Sequence, residues 1–461
     1  MQAFTGVWLW LAVPFAVLFG GALLVQWKTA WWVMLACIPP SVQIYFLDGA
    51  LSTSVPDEPM MMGFLVLLIV LLCARRGLLP SWFLRHPLTF IIAAQLIWTL
   101  VTVIFSTQPV FAVKYVAAKC WFIASFFVLP VLVFREKCDF RKALWLVTIP
   151  LLLTMAVIFV RHAALGFHFR KIEKAIMDIY YNHVDYSTVM SMVFPVICVA
   201  WPLTRRWHLW WRLALAGVIL FFLPAIYLTY ARAAMLAVVF AAGVALAMRL
   251  RLVQWIMPVI YALMILGVFA AARNNVFMLY RPNFGQTYMH HTFTEHIIAT
   301  FKGQDMSSME RVYRWIAAVR MSRDRPLTGY GPNSFYENYK PYAVPTFRTY
   351  VSRNPERSTT HNYFLLMLVE QGWPAMILYA LLVQVALVRA QKTYHRFKGD
   401  RFYRVATLGM AMMFAAAFIN NFFSELIETH KVGALFYLSL SLLVVLEWKS
   451  RAQQASMNAI K

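Results

Sequence analysis

Apolar stretches long enough to cross a membrane recur along almost the whole chain. A bilayer core about 30 Å thick requires roughly 20 consecutive apolar residues in a helix. Runs of that kind lie near 7–26, 30–47, 59–74, 87–106, 110–134, 142–161 and 184–203, and again near 208–229, 231–249, 252–272, 361–389, 403–423 and 432–448. In hydrocarbon every backbone polar group must be satisfied within the segment, so runs of this length read as helices. The pattern predicts an all-α polytopic membrane protein with about 12–13 transmembrane helices. Pro39 and Pro40 interrupt the second run, so the first two runs are either two spans or one broken element. The first run has no basic n-region and leads straight into more apolar sequence, which argues against a cleaved signal peptide.

Composition excludes the alternatives. The 461 residues are 61% hydrophobic and 13% charged, against about 45–50% and about 25% in soluble domains. An aromatic content of 16% argues against a disordered chain. The five cysteines show no CxxC spacing and no paired histidine, so neither a disulfide framework nor a zinc site is expected.

The charge is unusual: 42 Lys and Arg against 19 Asp and Glu give +23. Short basic loops mark the cytoplasmic side of a membrane protein. Such groups occur at Arg75, Arg76 and Arg85; at Arg135, Lys137, Arg141 and Lys142; at Arg205, Arg206 and Arg212; and at Arg249 and Arg251. Arg389, Lys392, Arg396, Lys398, Arg401 and Arg404 follow, then Lys449 and Arg451. Alternating spans put all of these on one side, with a cytoplasmic C-terminus. The short loop containing Asp57 and Glu58 then lies outside, as does 273–360, which no apolar run crosses. Three regions result: 1–272 with about ten spans, a large and partly helical periplasmic loop at 273–360, and helices plus a short tail at 361–461. The loop carries more than half of the bases that face outward, twelve Lys and Arg against six acids. A connection this long in a compact protein is usually functional. Within it Ser307–Met321 has helical character: Ser307 or Ser308 can cap it, Glu310 falls in its first turn, and Val312, Trp315, Ile316 and Val319 form an apolar stripe. Leu327 to Asn333 reads as a tight turn.

The polar residues that could carry chemistry lie on the outer side. Arg232, between two apolar runs with almost no loop, is a functional candidate because charge beside a span is costly; the alternative is an arginine snorkelling to headgroups. Tyr230 precedes it. Arg311 and Arg314 share a helix face, with Glu310 as a potential ion-pair partner, and two cations on one face suit an anionic ligand. His361, at the return to the membrane, suits a general base near neutral pH, and Asn362 beside it could orient a substrate. Glu370 would be an ionisable residue inside a span. His183 and Asp185 form a further outer pair, with Asp185 placed to cap the following helix. Glu425, Glu428, His430 and Lys431 read as a structural cluster. No phosphate-binding GxxxxGK[ST] motif, GxSxG elbow, HExxH pair or carboxylate-rich metal cluster is present. No cofactor, metal or nucleic-acid partner is expected.

These residues also carry a resemblance. Ala231-Arg232-Ala-Ala, Glu310-Arg311-x-x-x-Trp315-x-Ala-Ala, Arg325-Pro-Leu-Thr-Gly-Tyr-Gly-Pro-Asn-Ser-Phe335, His361-Asn362-x-x-Leu365 and Glu370-x-Gly372 occur in that order. The ordered set resembles the bacterial O-antigen ligase and O-antigen polymerase superfamily of membrane glycosyltransferases. The resemblance implies a GT-C-like enzyme of the bacterial inner membrane with its active site facing the periplasm. Its donor would be a glycan on undecaprenyl diphosphate, and its acceptor a hydroxyl of lipid A-core, another glycan or a protein, among membrane lipids. It further implies that Arg232 and Arg311 hold the diphosphate and that His361 activates the acceptor, with neither nucleotide nor metal. Polymerase and protein O-glycosyltransferase activities share these features. A lipid-glycan flippase is the reading from another class, and should show inverted repeats and broken helices near the mid-membrane.

Overall fold

The computed structural model describes residues 5–46, 51–272, 306–343 and 359–459. The chain is an all-α bundle, as its apolar runs require. Its helices are α1 (Thr5–Cys37), α2 (Asp57–Ala74), α3 (Pro87–Ile104), α4 (the span Pro109–Val133), α5 (Lys137–Ala164), α6 (His183–Ala200), α7 (Leu209–Tyr227) and α8 (Arg232–Arg249). They continue with α9 (Val253–Ala272), α10 (Met306–Asp324), α11 (Tyr363–Arg396), α12 (Arg401–Phe422) and α13 (His430–Ala459).

Among the described residues ten helices are long and apolar enough to cross a membrane, fewer than the twelve or thirteen expected. The difference lies in α1 and α9. Helix α1 is one element broken at Gln26, whose φ of −142° and ψ of 54° leave the helical region. It stops at Cys37, and the expected span at 30–47 does not form. Pro39 and Pro40 cannot continue a helix. The following residues instead form strand β1 (Val42–Phe46), paired antiparallel with β2 (Leu51–Val55). Helix α9 spans 20 residues, Val253–Ala272, long enough to cross; it falls outside the ten because only Val253–Gly267 is fully described.

Burial sorts the spans. The apolar window of α13 is 94% buried and those of α6 and α12 are 67%, while that of α7 is 22%. Helices α13, α6, α12 and α4 are therefore the most buried, and α2, α3 and α7 the most exposed toward lipid. Water drives no burial between helices in hydrocarbon, so close packing of small residues does that work. Ala234, Ala237, Ala241 and Ala245 form a buried stripe on α8, and Ala411, Ala415, Ala416 and Ala417 are buried on α12. At Gly409 of α12 an added Cβ would lie 3.2 Å from Val196 of α6, which shows how closely those two helices approach.

Contacts divide the bundle into two ends. At one end the 38–56 hairpin, the 165–182 segment, the 228–231 and 423–429 turns and helix α10 gather. Lys431 there donates to the carbonyls of Pro39 and Ser41, both at 2.9 Å, and to that of Ile179. The basic loops gather at the other end, where Lys137 pairs with Asp400 at 2.6 Å. All the candidate site residues named above lie at or toward the first end.

Candidate active site

His361 sits at the entry to α11 with φ of +50°, the left-handed region. For a residue with a Cβ this costs of order 1 kcal/mol and persists only where its surroundings impose it. Here they do. The Thr360 hydroxyl donates to the Asn362 carbonyl at 2.8 Å and accepts from the Asn362 N–H at 3.3 Å, bracketing His361. The Asn362 side chain caps α11 by accepting from the Leu365 N–H at 3.1 Å. From α10, Trp315 donates its indole N–H to the Thr360 carbonyl at 3.0 Å, and Arg314 donates to the Thr359 carbonyl at 3.3 Å. Trp315 also stands edge-on to Phe422 at the end of α12, ring centroids 6.1 Å apart. One helix thus clamps the start of α11 and the end of α12 together.

That clamp sets the electrostatics. The Nδ1 of His361 lies 3.6 Å from the Glu425 carboxylate, in the turn after α12. Burial first, then the guanidinium charges of Arg311 and Arg314, push the imidazole down to about 3. It is therefore neutral at any physiological pH. Burial raises the Glu425 carboxyl above its ordinary range, against the pull of Thr359, Arg314 and Arg311. Four groups from three separate segments, Arg311 and Arg314 of α10, His361 and Glu425, thus form one unit. Chemically it comprises a neutral base, a carboxylate at one of its nitrogens, and two flanking cations.

Other expected site residues have different duties. Glu370 is 2% exposed, and its carboxylate accepts from the backbone N–H groups of Asn333 at 2.9 Å, Ser334 at 3.0 Å and Phe335 at 3.2 Å. It anchors the 327–335 turn. Helix α11 breaks two residues later at Gly372 (φ 76°, ψ −177°). The groups freed by the break are taken up: Tyr330 and Gly331 donate to the carbonyls of Val369 and Glu370, Trp373 donates to that of Pro326, and Trp98 donates to that of Gln371. Irregular backbone within a membrane bundle is tolerated where protein covers it in this way. A Cβ on Gly372 would lie 2.0 Å from the Leu327 carbonyl oxygen, so glycine is required there.

Arg232 opens α8 in its first turn, half-buried, at the same end of the bundle. Tyr230 beside it is in the left-handed region and donates to the Phe167 carbonyl at 2.6 Å. His183 pairs with Glu173. Asp185 is fully buried and accepts from the Thr429 hydroxyl at 2.9 Å; it does not cap α6, because Asn182 does. Glu310 is the fifth residue of α10, not in its first turn, since the helix begins at Met306 ahead of both serines. Arg273, Arg281, Lys302, Arg348, Arg353 and Arg357 lie outside the described residues.

Sequence reasoning gave Glu425 and Glu428 a structural role and did not single out Lys119. The Glu428 carboxylate accepts from Lys119 at 2.7 Å and from the Tyr115 hydroxyl at 2.9 Å, and Lys119 also reaches the Tyr363 hydroxyl at 3.2 Å. The available signal was two carboxylates within one short turn on the same side as His361. Among the described residues no group of three or more His, Cys, Asp or Glu is arranged to hold a metal ion.

No curated protein sequence matches the chain. Residues 223–380 match the O-antigen ligase family. That stretch holds Arg232, Arg311, Arg314, His361 and Glu370 and ends before Glu425. The chain accordingly has the helices of a multi-pass membrane protein, and its residues 223–380 are similar to the O-antigen ligase family, which supports a membrane enzyme of the O-antigen ligase or polymerase type.

Proposed function

We propose that this protein transfers a glycan from undecaprenyl diphosphate to an acceptor hydroxyl at the periplasmic face of the inner membrane, in the manner of an O-antigen ligase and without a metal. The arrangement of His361, Glu425, Arg311 and Arg314 inside and beside the O-antigen ligase domain carries this reading.

Glu425 lies 3.6 Å from Nδ1 of His361, just beyond hydrogen-bond reach; once the pair closes on a bound substrate, Nδ1–H points at the carboxylate, and Nε2 keeps its lone pair and can take the acceptor's proton. Glu425 then stabilises the imidazolium that forms. Arg311 and Arg232 hold the diphosphate, and Arg314 adds charge while fixing the backbone at Thr359. Cations aimed at the leaving diphosphate stabilise charge as it develops, which is the largest catalytic contribution in many enzymes. One direct displacement at the anomeric carbon inverts it. A retaining route would need a nucleophilic carboxylate, and Glu370 and Asp185 are committed elsewhere.

The broken helix at Gly372 would fit a transporter, but the chain's own turn fills it. The deciding test is transfer in vitro from a purified lipid-linked donor to lipid A-core, with and without a chelator. Transfer that persists in the chelator and disappears in His361→Ala supports the proposal. Undiminished transfer in His361→Ala would sink it. Loss of glycan-capped lipid A in deletion cells identifies a ligase, whereas loss of long chains alone identifies a polymerase.

A further inference from the structure

At the end of the bundle opposite His361, a cavity of about 260 Å³ opens between α11 and α13. Its polar lining is Gln384, Arg389, Lys392, Arg396 and Arg451, with Glu447 as its carboxylate. Residues 389, 392 and 396 share one face of α11, while 447 and 451 are one turn apart on α13.

Glu447 cannot satisfy this set. Its Oε1 accepts from Arg389 and from Arg451, both at 2.6 Å, and its Oε2 lies 3.0 Å from His86. Arg396 approaches Oε1 only to 3.6 Å, beyond hydrogen-bond reach, and its Nη1 is buried with no hydrogen-bond partner among the described residues. Lys392 makes no side-chain hydrogen bond or ion pair among the described residues, so the cavity holds more cations than its own carboxylate can pair. Lys392 and Arg451 are exposed at the mouth of the cavity, and Arg389 and Arg396 are half-buried. An anion entering the cavity would meet cations that Glu447 leaves available, and a phosphate offers several oxygens for guanidinium forks.

The walls indicate what carries the phosphate. Val385 and Val388 line the cavity beside the cations. Leu381 and Ile377, one and two turns back from Val385 along the same side of α11, are 46% and 51% exposed on an apolar surface. That strip leads from the cavity along the membrane-facing surface of the helix, where an acyl chain would lie. Basic pockets between helices at this level suit anionic lipid headgroups.

We propose that the cavity formed by Arg389, Lys392, Arg396, Arg451 and Glu447 binds the phosphate headgroup of an anionic membrane phospholipid. It is a site separate from His361 and independent of the transfer chemistry.

The test uses the full chain in a neutral detergent, with thermal unfolding followed during titration of phosphatidylglycerol, phosphatidylcholine or sodium phosphate. Phosphatidylglycerol is expected to raise the unfolding temperature saturably, and the other two are not. Lys392→Gln with Arg396→Gln weakens the apparent affinity at least about tenfold, at roughly 1 kcal/mol for each cation near a lipid surface. Lys392→Gln alone, at a side chain that pairs with nothing, folds normally and weakens it about fivefold on the same scale. An equal response to phosphatidylcholine, an equal response to free phosphate, or undiminished binding in Lys392→Gln each overturns the proposal.

Discussion

The imidazole of His361 and the carboxylate of Glu425 face each other at 3.6 Å across the gap between the start of α11 and the end of α12. Neither helix alone would create this pair. Helix α10 does so by gripping both, through Trp315 to Thr360 on one side and to Phe422 on the other. The pair predicts an asymmetric result. His361→Ala removes the base and should lower turnover by about 10²–10⁴-fold. Glu425→Gln keeps the size and leaves a neutral partner, and should lower turnover by roughly 10²-fold with little change in KM. Steady-state transfer from a lipid-linked donor measures both. A Glu425→Gln enzyme at wild-type turnover would remove Glu425 from the mechanism.

The pH dependence follows from the cause of the imidazole shift. His361 stands at about 3 in the folded protein, against about 6.5 for an ordinary histidine. Between those values the unfolded chain holds more protons at this residue. Its contribution to stability is therefore fully present above about 6.5 and is lost as pH falls toward about 3. Bound diphosphate neutralises Arg311 and Arg314, which raises the imidazole in the complex. The acid limb of kcat should accordingly lie at higher pH than that of kcat/KM. Arg311→Gln should move the kcat/KM limb upward. Coincident limbs, or a downward move in Arg311→Gln, would contradict the electrostatic account.

Glu370 predicts loss of stability rather than of chemistry. A glutamine there keeps one accepting oxygen where the carboxylate serves three backbone N–H groups. Leaving such groups unsatisfied costs about 1–3 kcal/mol. Glu370→Gln should lower the unfolding temperature, and activity should fall only as far as the folded fraction does. Gly372→Ala should be more severe, because its Cβ meets the Leu327 carbonyl and the backbone is left-handed. Full thermal stability with abolished turnover in Glu370→Gln would restore Glu370 to the reacting groups.

Lys119 and Glu428 make a buried pair in which each partner needs the other. Lys119→Met strands the carboxylate and should cost about 3–5 kcal/mol, as breaking such pairs does. Lys119→Met combined with Glu428→Gln should recover part of that loss. Unfolding of the three variants in one detergent gives the coupling directly, and purely additive losses would show that the pair is not coupled.

Much of this was legible in the chain. The apolar runs gave the membrane class, and α10 was visible from Ser307 to Met321. The order of Arg232, Arg311 and His361 suggested the proposed site. Glu425 was not legible, because a carboxylate in a turn has the same local pattern whether it meets water or an imidazole. Glu370 was misleading for a related reason: an acid in an apolar run signals function, and the backbone donors that employ it come from a turn remote in sequence. The span at 30–47 was overread because hydropathy averages across Pro39 and Pro40, whereas the backbone cannot.

The left-handed backbone at His361 restricts what can occupy the position even before chemistry is considered. Asparagine, aspartate and glycine tolerate that conformation, whereas β-branched residues resist it. A saturation library at this position should therefore split into two inactive classes: variants with Asn or Gly that insert and fold as the native protein does, and variants with Val, Ile or Thr that accumulate poorly. The first class supplies catalytically silent proteins with intact architecture, suited to trapping a bound donor.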